Sequence, residues 1–570
     1  MPNKVDVAII GGGPAGSTAA TILKKYNPRL SVTILEREKF PRDHIGESQL
    51  PLITAILQEM GVWDKVEAAR FPIKIGATYR WGSTKDLWNF DFLPEGRFDA
   101  VARPAKLEGQ RLATAFQVDR AVYDKILLDH AKEMGATVRE ETRVMEVLKE
   151  GDRVTGLRLD TGETLEADWY LDCSGHTAVL RRAMEVPTEV PTNLQNLAIW
   201  RYWRNTEWAS TAGVGGTRIL VMSLGYGWIW FIPVGPDRTS IGLVVPQKYF
   251  KEKGQTPEDM YHEALRSEPL IGELTAPAQV EDKVHITRDW NFVSERLTGE
   301  NWFLVGESAG FADPILSAGM TLAHEGAREC AYTIMSVMRG EFDPGWAQAY
   351  YSETQIRRIR NHIRFADFWY TANEHFTDLK EFTREIAADA GLSLEAENAW
   401  QWLGTGGFVD DELGGAGVAA YDLVSTHHFV EAFTQGKIKW ASTGMSRFEL
   451  HLDDAEKTWA ATYENGRITR YRCYVRDRKR LPNTVPFSFI ISALKKEGTF
   501  RSIEATVEKE AQARGGSDAV FFDLMGRVLQ SLEAMLKDGW VTGTVDPDLP
   551  GVPEPVLGTI IPDHLAGSRA

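Results

Sequence analysis

Residues 5–10 read Val-Asp-Val-Ala-Ile-Ile and stop at three consecutive glycines, Gly11, Gly12 and Gly13. A short run so nearly apolar predicts a strand covered on both faces, as in a parallel sheet. A helix to about Lys25 and a second strand at residues 31–35 complete a βαβ unit. Further on, Gln117-Val118-Asp119-Arg120 leads into a helix with apolar positions at Tyr123, Ile126, Leu127 and Ala131, and alternating strands follow from Val138 to Leu171. From about 195 to 250, Trp, Tyr and β-branched residues at strand spacing predict a half-buried sheet, inserted over about 195–295 as the wall of a pocket. Residues 302–306 return as a buried strand, and a helix starting near Gly319 closes this first domain by about residue 340.

Residues 341–570 read as a second, mostly helical region. A long helix is expected from about Pro344 to Phe376, an irregular glycine-rich stretch from Gly404 to Gly417, then helices at 488–495, 503–513 and 521–537. A strand pair around residues 540–544 would give the order of a winged helix over about 485–550. The fold class is therefore α/β, with an inserted sheet and a C-terminal α+β region ending in a winged-helix-like module.

The glycine turn carries chemistry. Gly11, Gly13 and Gly16 fit GxGxxG between a strand and a helix, with Ala15 inside the motif. Gly11 permits the tight turn, Gly13 lets a pyrophosphate approach the backbone, and Gly16 lets helix and strand pack closely. Glu36 ends the second strand at the place of an acid that accepts from ribose hydroxyls, with Arg37 beside it. No second fingerprint occurs, so no tightly held NAD(P)H is expected.

Downstream, Arg42, Gly46-Glu47-Ser48, Val118-Asp119-Arg120 and Gly306-Glu307 resemble the stations of the p-hydroxybenzoate-hydroxylase-like FAD fold. The resemblance implies Arg42 and Arg120 near the pyrophosphate and ribityl chain. Glu307 stands where that fold usually has aspartate. Trp228-Ile229-Trp230-Phe231-Ile232-Pro233 matches WxWxIP, and residues 311–319, with Phe311, Pro314, Ser317 and Gly319 in place, match FxxPxxSxG. Both are signatures of flavin-dependent halogenases, which the first 340 residues resemble most closely, the carrier-protein-associated and phenolic branch more than the tryptophan branch.

That resemblance implies a separate NAD(P)H-dependent flavin reductase supplying reduced FAD, with O2 and chloride or bromide giving hypohalous acid. Lys74, in Lys74-Ile75-Gly76-Ala77-Thr78-Tyr79-Arg80-Trp81-Gly82, resembles the family lysine that receives it. An amine can donate a hydrogen bond to hypohalous acid or be halogenated, above all when desolvation keeps part of it neutral. Ser317, Ala318 and Gly319 lie where a strand turns into a helix, so their backbone N–H groups either bind halide or hold only the flavin's pyrimidine oxygens. Trp228, Trp230 and Pro314 line the pocket; the tryptophans either pack the wall or keep substrate from the flavin. Glu47 either orients the oxidant or supports its turn. His44, His176 and His324 read as structural. Asp289 resembles the position at which some members bond FAD covalently. The other readings on this fold are an FAD monooxygenase or an isoprenoid-type reductase, and, outside enzymes, a flavin-binding regulator.

Composition adds exclusions. The net charge of −16 argues against nucleic acid and anionic membrane as partners, since both attract basic surfaces. Three scattered cysteines, Cys173, Cys330 and Cys473, support neither a disulfide framework nor a metal site, and fit a cytoplasmic setting. No apolar stretch reaches the length of a membrane span. The substrate, free or carrier-tethered, stays open.

Overall fold

The computed structural model describes residues 3–92, 114–192, 194–208, 211–212, 216–410, 415–516 and 518–555. The chain divides into two compact units, residues 1–81, 85–390 and 465–468 in the first and residues 82–84, 391–464 and 469–570 in the second.

The first unit contains the expected βαβ start. Asn3–Ile10 lies between Val32–Leu35 and Thr164–Asp172, all parallel, and Thr137–Arg139 and Trp302–Leu304 extend the sheet on either side. Val7, Ala8 and Ile9 are wholly buried, which accounts for their unbroken apolar run. The helix Pro14–Tyr26 covers one face and is buried from Pro14 to Lys24, where the long helix Gly319–Met338 packs on it.

A second sheet, of ten strands among the described residues, runs in the order Gln279–Val280, Gln195–Arg204, Arg238–Pro246, Trp228–Pro233, Gly216–Ser223, Ile73–Arg80, Trp88–Asp91, with Thr211–Ala212, His285–Trp290 and Ala115–Phe116 paired off this path. The sheet is not confined to about 195–295, because Ile73–Arg80, Trp88–Asp91 and Ala115–Phe116 join it. Ile73–Arg80 pairs in parallel with Gly216–Ser223, and a parallel partner so far along the chain leaves no local signal. One face buries Leu197, Ile199, Leu220, Met222, Ile229, Phe231, Ile241 and Leu243 against Met260, Tyr261 and Ala264 of the helix Pro257–Ser267. The cross-strand pairs Tyr202–Ser240 and Val221–Trp230, with Trp228 two residues before Trp230, lie on the other face.

The helix expected at Pro344 runs Pro344–Thr371 within the first unit, its Tyr351 hydroxyl donating to the Leu304 carbonyl at 2.9 Å. In the second unit, the helices Phe487–Lys496, Phe500–Ala513 and Asp518–Lys537 match the sequence expectation to within a few residues. The terminal strand does not. Val541–Thr544 forms no pair of its own but joins Arg447–Leu450, which precedes all three helices. The buried Phe448 and Val541 supply the apolar contact that a surface hairpin would lack.

Candidate active site

The residues expected to hold a dinucleotide come together at the C-terminal edge of the parallel sheet. Gly11 has φ +104°, and a Cβ there would stand 2.3 Å from the Cys173 carbonyl oxygen; one at Gly16 would stand 1.9 Å from the Gly11 oxygen. Glu36, 5% exposed, accepts from the Gly12 N–H at 2.7 Å and from the Glu38 N–H at 2.9 Å. Its carboxylate is thereby fixed at the strand end. Arg42 reaches toward Gly13: its Nη2 lies 3.4 Å from the Cβ position, and its buried Nη1 makes no hydrogen bond, though Asp124 is 3.5 Å away. The guanidinium, ion-paired to Asp124 and Glu38, thus turns its Nη2 toward the glycine cradle, where a pyrophosphate needs a cationic donor, and the residues present fit FAD.

Other stations fall into place around it. Arg120, buried, is held by a bidentate pair with Asp124 at 2.7 and 2.8 Å and donates to the Ile45 and Gly46 carbonyls. Gly306 has φ +67°, and a Cβ there would be 3.5 Å from the Cβ of Ala15, so the last station meets the first. Glu307 is half-buried in the following 3₁₀ turn and acts on the Arg120 charge. Arg37 is exposed, donating to Thr177 and pairing with Glu38.

Lys74 lies at the start of its strand beside a β-bulge. The register pairs Lys74 with Thr217 but Gly76 with Arg218, and this skip puts Lys74 level with Thr217, on the face of Val221 and Trp230. The side chain is 2% exposed. Its Nζ donates to Ser48 Oγ at 2.7 Å, and Ser317 Oγ donates to the same oxygen at 3.1 Å. The lysine and the FxxPxxSxG turn are thus joined through one hydroxyl. Burial pulls the Lys74 pKa down to about 7.

The turn itself is a 3₁₀ segment, Pro314–Leu316, followed by Ser317 at φ +55° and by the helix that begins at Gly319. The Ser317 N–H already bonds the Pro314 carbonyl at 3.0 Å, so Ala318 and Gly319 are the residues of the three that start the helix with donors to offer. Glu47, next to Ser48, is 2% exposed and neither carboxylate oxygen makes a hydrogen bond of ordinary geometry. Burial pushes its pKa up to about 7, while the Ser240 and Tyr202 hydroxyls beside it pull the other way.

Two groups of residues escaped the sequence reading. Asp313, inside the second motif, is 4% exposed, caps the turn by accepting from the Ile315 N–H at 2.9 Å, and receives the Tyr370 hydroxyl at 3.2 Å. Trp228 Nε1 donates to that hydroxyl at 2.8 Å, while Trp230 Nε1 donates to Ser240 Oγ at 3.1 Å. An aspartate before proline was the only signal. Arg238 contacts Asp119 at 2.7 Å, Glu281 at 3.1 Å and Asp43 at 3.4 Å, with its guanidinium 3.8 Å over the Tyr202 ring. A single arginine in a strand carries no such signal.

His324 is buried between Thr18 Oγ1 at 2.8 Å and the Tyr123 hydroxyl at 2.9 Å, the structural role expected of it. Asp289 stands opposite Asn196 in the strand register; its side chain lies outside the described residues. Among the described residues no cluster could hold a metal ion and no helix is long and apolar enough to cross a membrane.

The tryptophan halogenase family matches residues 6–101 and 93–378. The tryptophan 2-halogenase of Chondromyces crocatus is 34% identical over 62% of this chain, which spans 65% of that protein's length. A 1H-pyrrole-2-carbonyl-[peptidyl-carrier protein] chlorinase of Pseudomonas fluorescens is 31% identical over 65% of this chain and 85% of its own. The crystal structure of CmlS, a flavin-dependent halogenase, superposes with a TM-score of 0.71 at 25% identity, covering 97% of this chain and 98% of that one. With the glycine cradle, the buried lysine and both motifs in place, this chain belongs to the flavin-dependent halogenases of the tryptophan halogenase family.

Proposed function

We propose that this chain halogenates an electron-rich or activated organic substrate, using reduced FAD, O2 and chloride or bromide, with Lys74 receiving the oxidised halogen. The observation that carries the reading is the Lys74–Ser48–Ser317 hydrogen-bonded chain, which ties a buried amine to the turn beside the flavin's place. Bound reduced FAD, with O2 and halide, supplies hypohalous acid. Gly13 lets the pyrophosphate approach the backbone, Gly11 and Gly16 hold the tight turn and the close strand–helix packing behind it, Arg42 offsets its charge, and Glu36 meets the adenosine ribose. Ala318 and Gly319 offer backbone N–H groups to the halide.

Lys74 does the relaying. Burial brings its pKa down to about 7, so both ammonium and free amine are within reach near neutral pH, the first to donate to hypohalous oxygen and the second to take up halogen on nitrogen. Its burial excludes the water that would release the oxidant. Glu47, titrating in the same range, holds or gives a proton one residue from Ser48. A separate NAD(P)H-dependent flavin reductase supplies the electrons, as the lone dinucleotide fingerprint supports. The substrate is a small molecule or one tethered to a carrier protein, the relatives including a carrier-protein chlorinase beside a tryptophan 2-halogenase, and three free cysteines, all buried, support a cytoplasmic setting.

The test supplies reduced FAD through a generic reductase, with bromide or chloride and phenolic or carrier-bound pyrrole acceptors, and reads products by mass. Halogenated product is expected. Hydroxylated product without halogenation would turn the reading to a monooxygenase.

A further inference from the structure

We propose that Trp228 is a positioning residue for the halide turn, acting through Tyr370 and Asp313, and not only a wall of the pocket. The proposal rests on the halide reading of residues 317–319. Four side chains meet here from four segments, all nearly sealed from solvent: Trp228 at 2%, Tyr370 at 1%, Asn196 at 0% and Asp313 at 4% exposure. Trp228 Nε1 reaches the Tyr370 hydroxyl at 2.8 Å, Asn196 Nδ2 reaches it at 3.3 Å, and the hydroxyl reaches Asp313 Oδ1 at 3.2 Å. Asn196 Nδ2 is also 3.5 Å from Asp313 Oδ2.

The donor inventory fixes the direction of every bond. An indole N–H and an amide NH₂ can only donate, so both occupy the acceptor side of the hydroxyl and its single proton goes to Asp313. Asp313 Oδ1 then accepts twice, from Tyr370 and from the Ile315 N–H at 2.9 Å that starts the 3₁₀ turn. That turn delivers Ser317 in its left-handed conformation and sets the direction of the Ala318 and Gly319 N–H groups. Removing the indole N–H takes away the shorter of the two donors that turn the hydroxyl proton toward Asp313 and leaves only Asn196 at 3.3 Å on that side, so the cap loosens. WxWxIP and FxxPxxSxG thus share one network, which gives a reason for a tryptophan at 228 that its bulk alone does not.

Substitution by phenylalanine separates N–H from bulk. With the FAD-loaded protein, bromide affinity is read from the rise of Tm with bromide concentration. Trp228→Phe and Tyr370→Phe should each bind bromide roughly tenfold more weakly, and the double variant should be no weaker than either. Trp230→Phe, whose N–H serves Ser240, should leave bromide affinity at the wild-type value. In turnover, Trp228→Phe should raise the bromide KM while kcat at saturating bromide holds. Should Trp228→Phe fail to fold, Tyr370→Phe carries the same test. Wild-type bromide affinity in Trp228→Phe, or equal weakening in Trp230→Phe, would overturn the proposal alone. A wild type whose Tm ignores bromide would remove the halide reading and the proposal with it.

Discussion

Lys74 and Glu47 are ionisable groups placed where charge is costly, and they respond to pH in opposite senses. The Lys74 pKa falls to about 7 through burial, so the stability it contributes is present above its unfolded value of about 10.4 and is lost as pH falls through 7. Lys74→Met should therefore gain on wild type by on the order of 2 kcal/mol between about pH 9 and pH 6, read by thermal or denaturant unfolding. A difference that ignores pH would show the amine to be solvated. Glu47, raised to about 7, contributes stability that is present below its unfolded value of about 4.3 and lost as pH rises through 7. Glu47→Gln should thus gain on wild type as pH rises, a trend the same unfolding series would reveal. At Gly11, alanine would have to hold φ +104° with its Cβ 2.3 Å from the Cys173 oxygen. Gly11→Ala should cost on the order of 1–3 kcal/mol and weaken FAD retention, measured by flavin absorbance after gel filtration. Gly11 and Gly16 were readable because backbone requirements show in residue type. Asp313 and Arg238 were not, because only their neighbours in space give them a role.

At the scale of elements, strands and helices with local periodicity were legible, and pairings across long stretches of chain were not. The Asn3–Ile10 strand announced itself by an apolar run, and the Gly319–Met338 helix by the motif that starts it. Strict alternation, however, puts Lys74 on the side of Gly76 and Thr78. The bulge opposite Thr217 and Arg218 changes that, and a bulge depends on a partner strand the sequence does not name. Val541–Thr544 is the same case, with its partner at Arg447–Leu450. The Trp230 ring lies flat over Gly242, where a Cβ would come within 2.1 Å of it. Gly242→Ala should push the ring off the sheet and cost on the order of 1–3 kcal/mol by overpacking, visible as a lower Tm. An unchanged Tm would mean that the ring has room to move.

For the whole molecule, the first unit holds every described residue assigned to flavin, halide or lysine chemistry, and the family match covers the same part of the chain. The second unit was readable as helices but not as a function. Its helices follow from local periodicity, and no motif in its sequence names a ligand. In the function proposed above, Lys74 carries halogen from the flavin side of the pocket to substrate. The most direct test of that role is the ratio of halogenated product to reduced FAD consumed, for wild type and Lys74→Met, under one reductase, one halide and one acceptor. Flavin oxidation should continue in the variant while halogenation falls by about 100-fold or more, equivalent to ~2.7 kcal/mol. Equal ratios in the two proteins would contradict it.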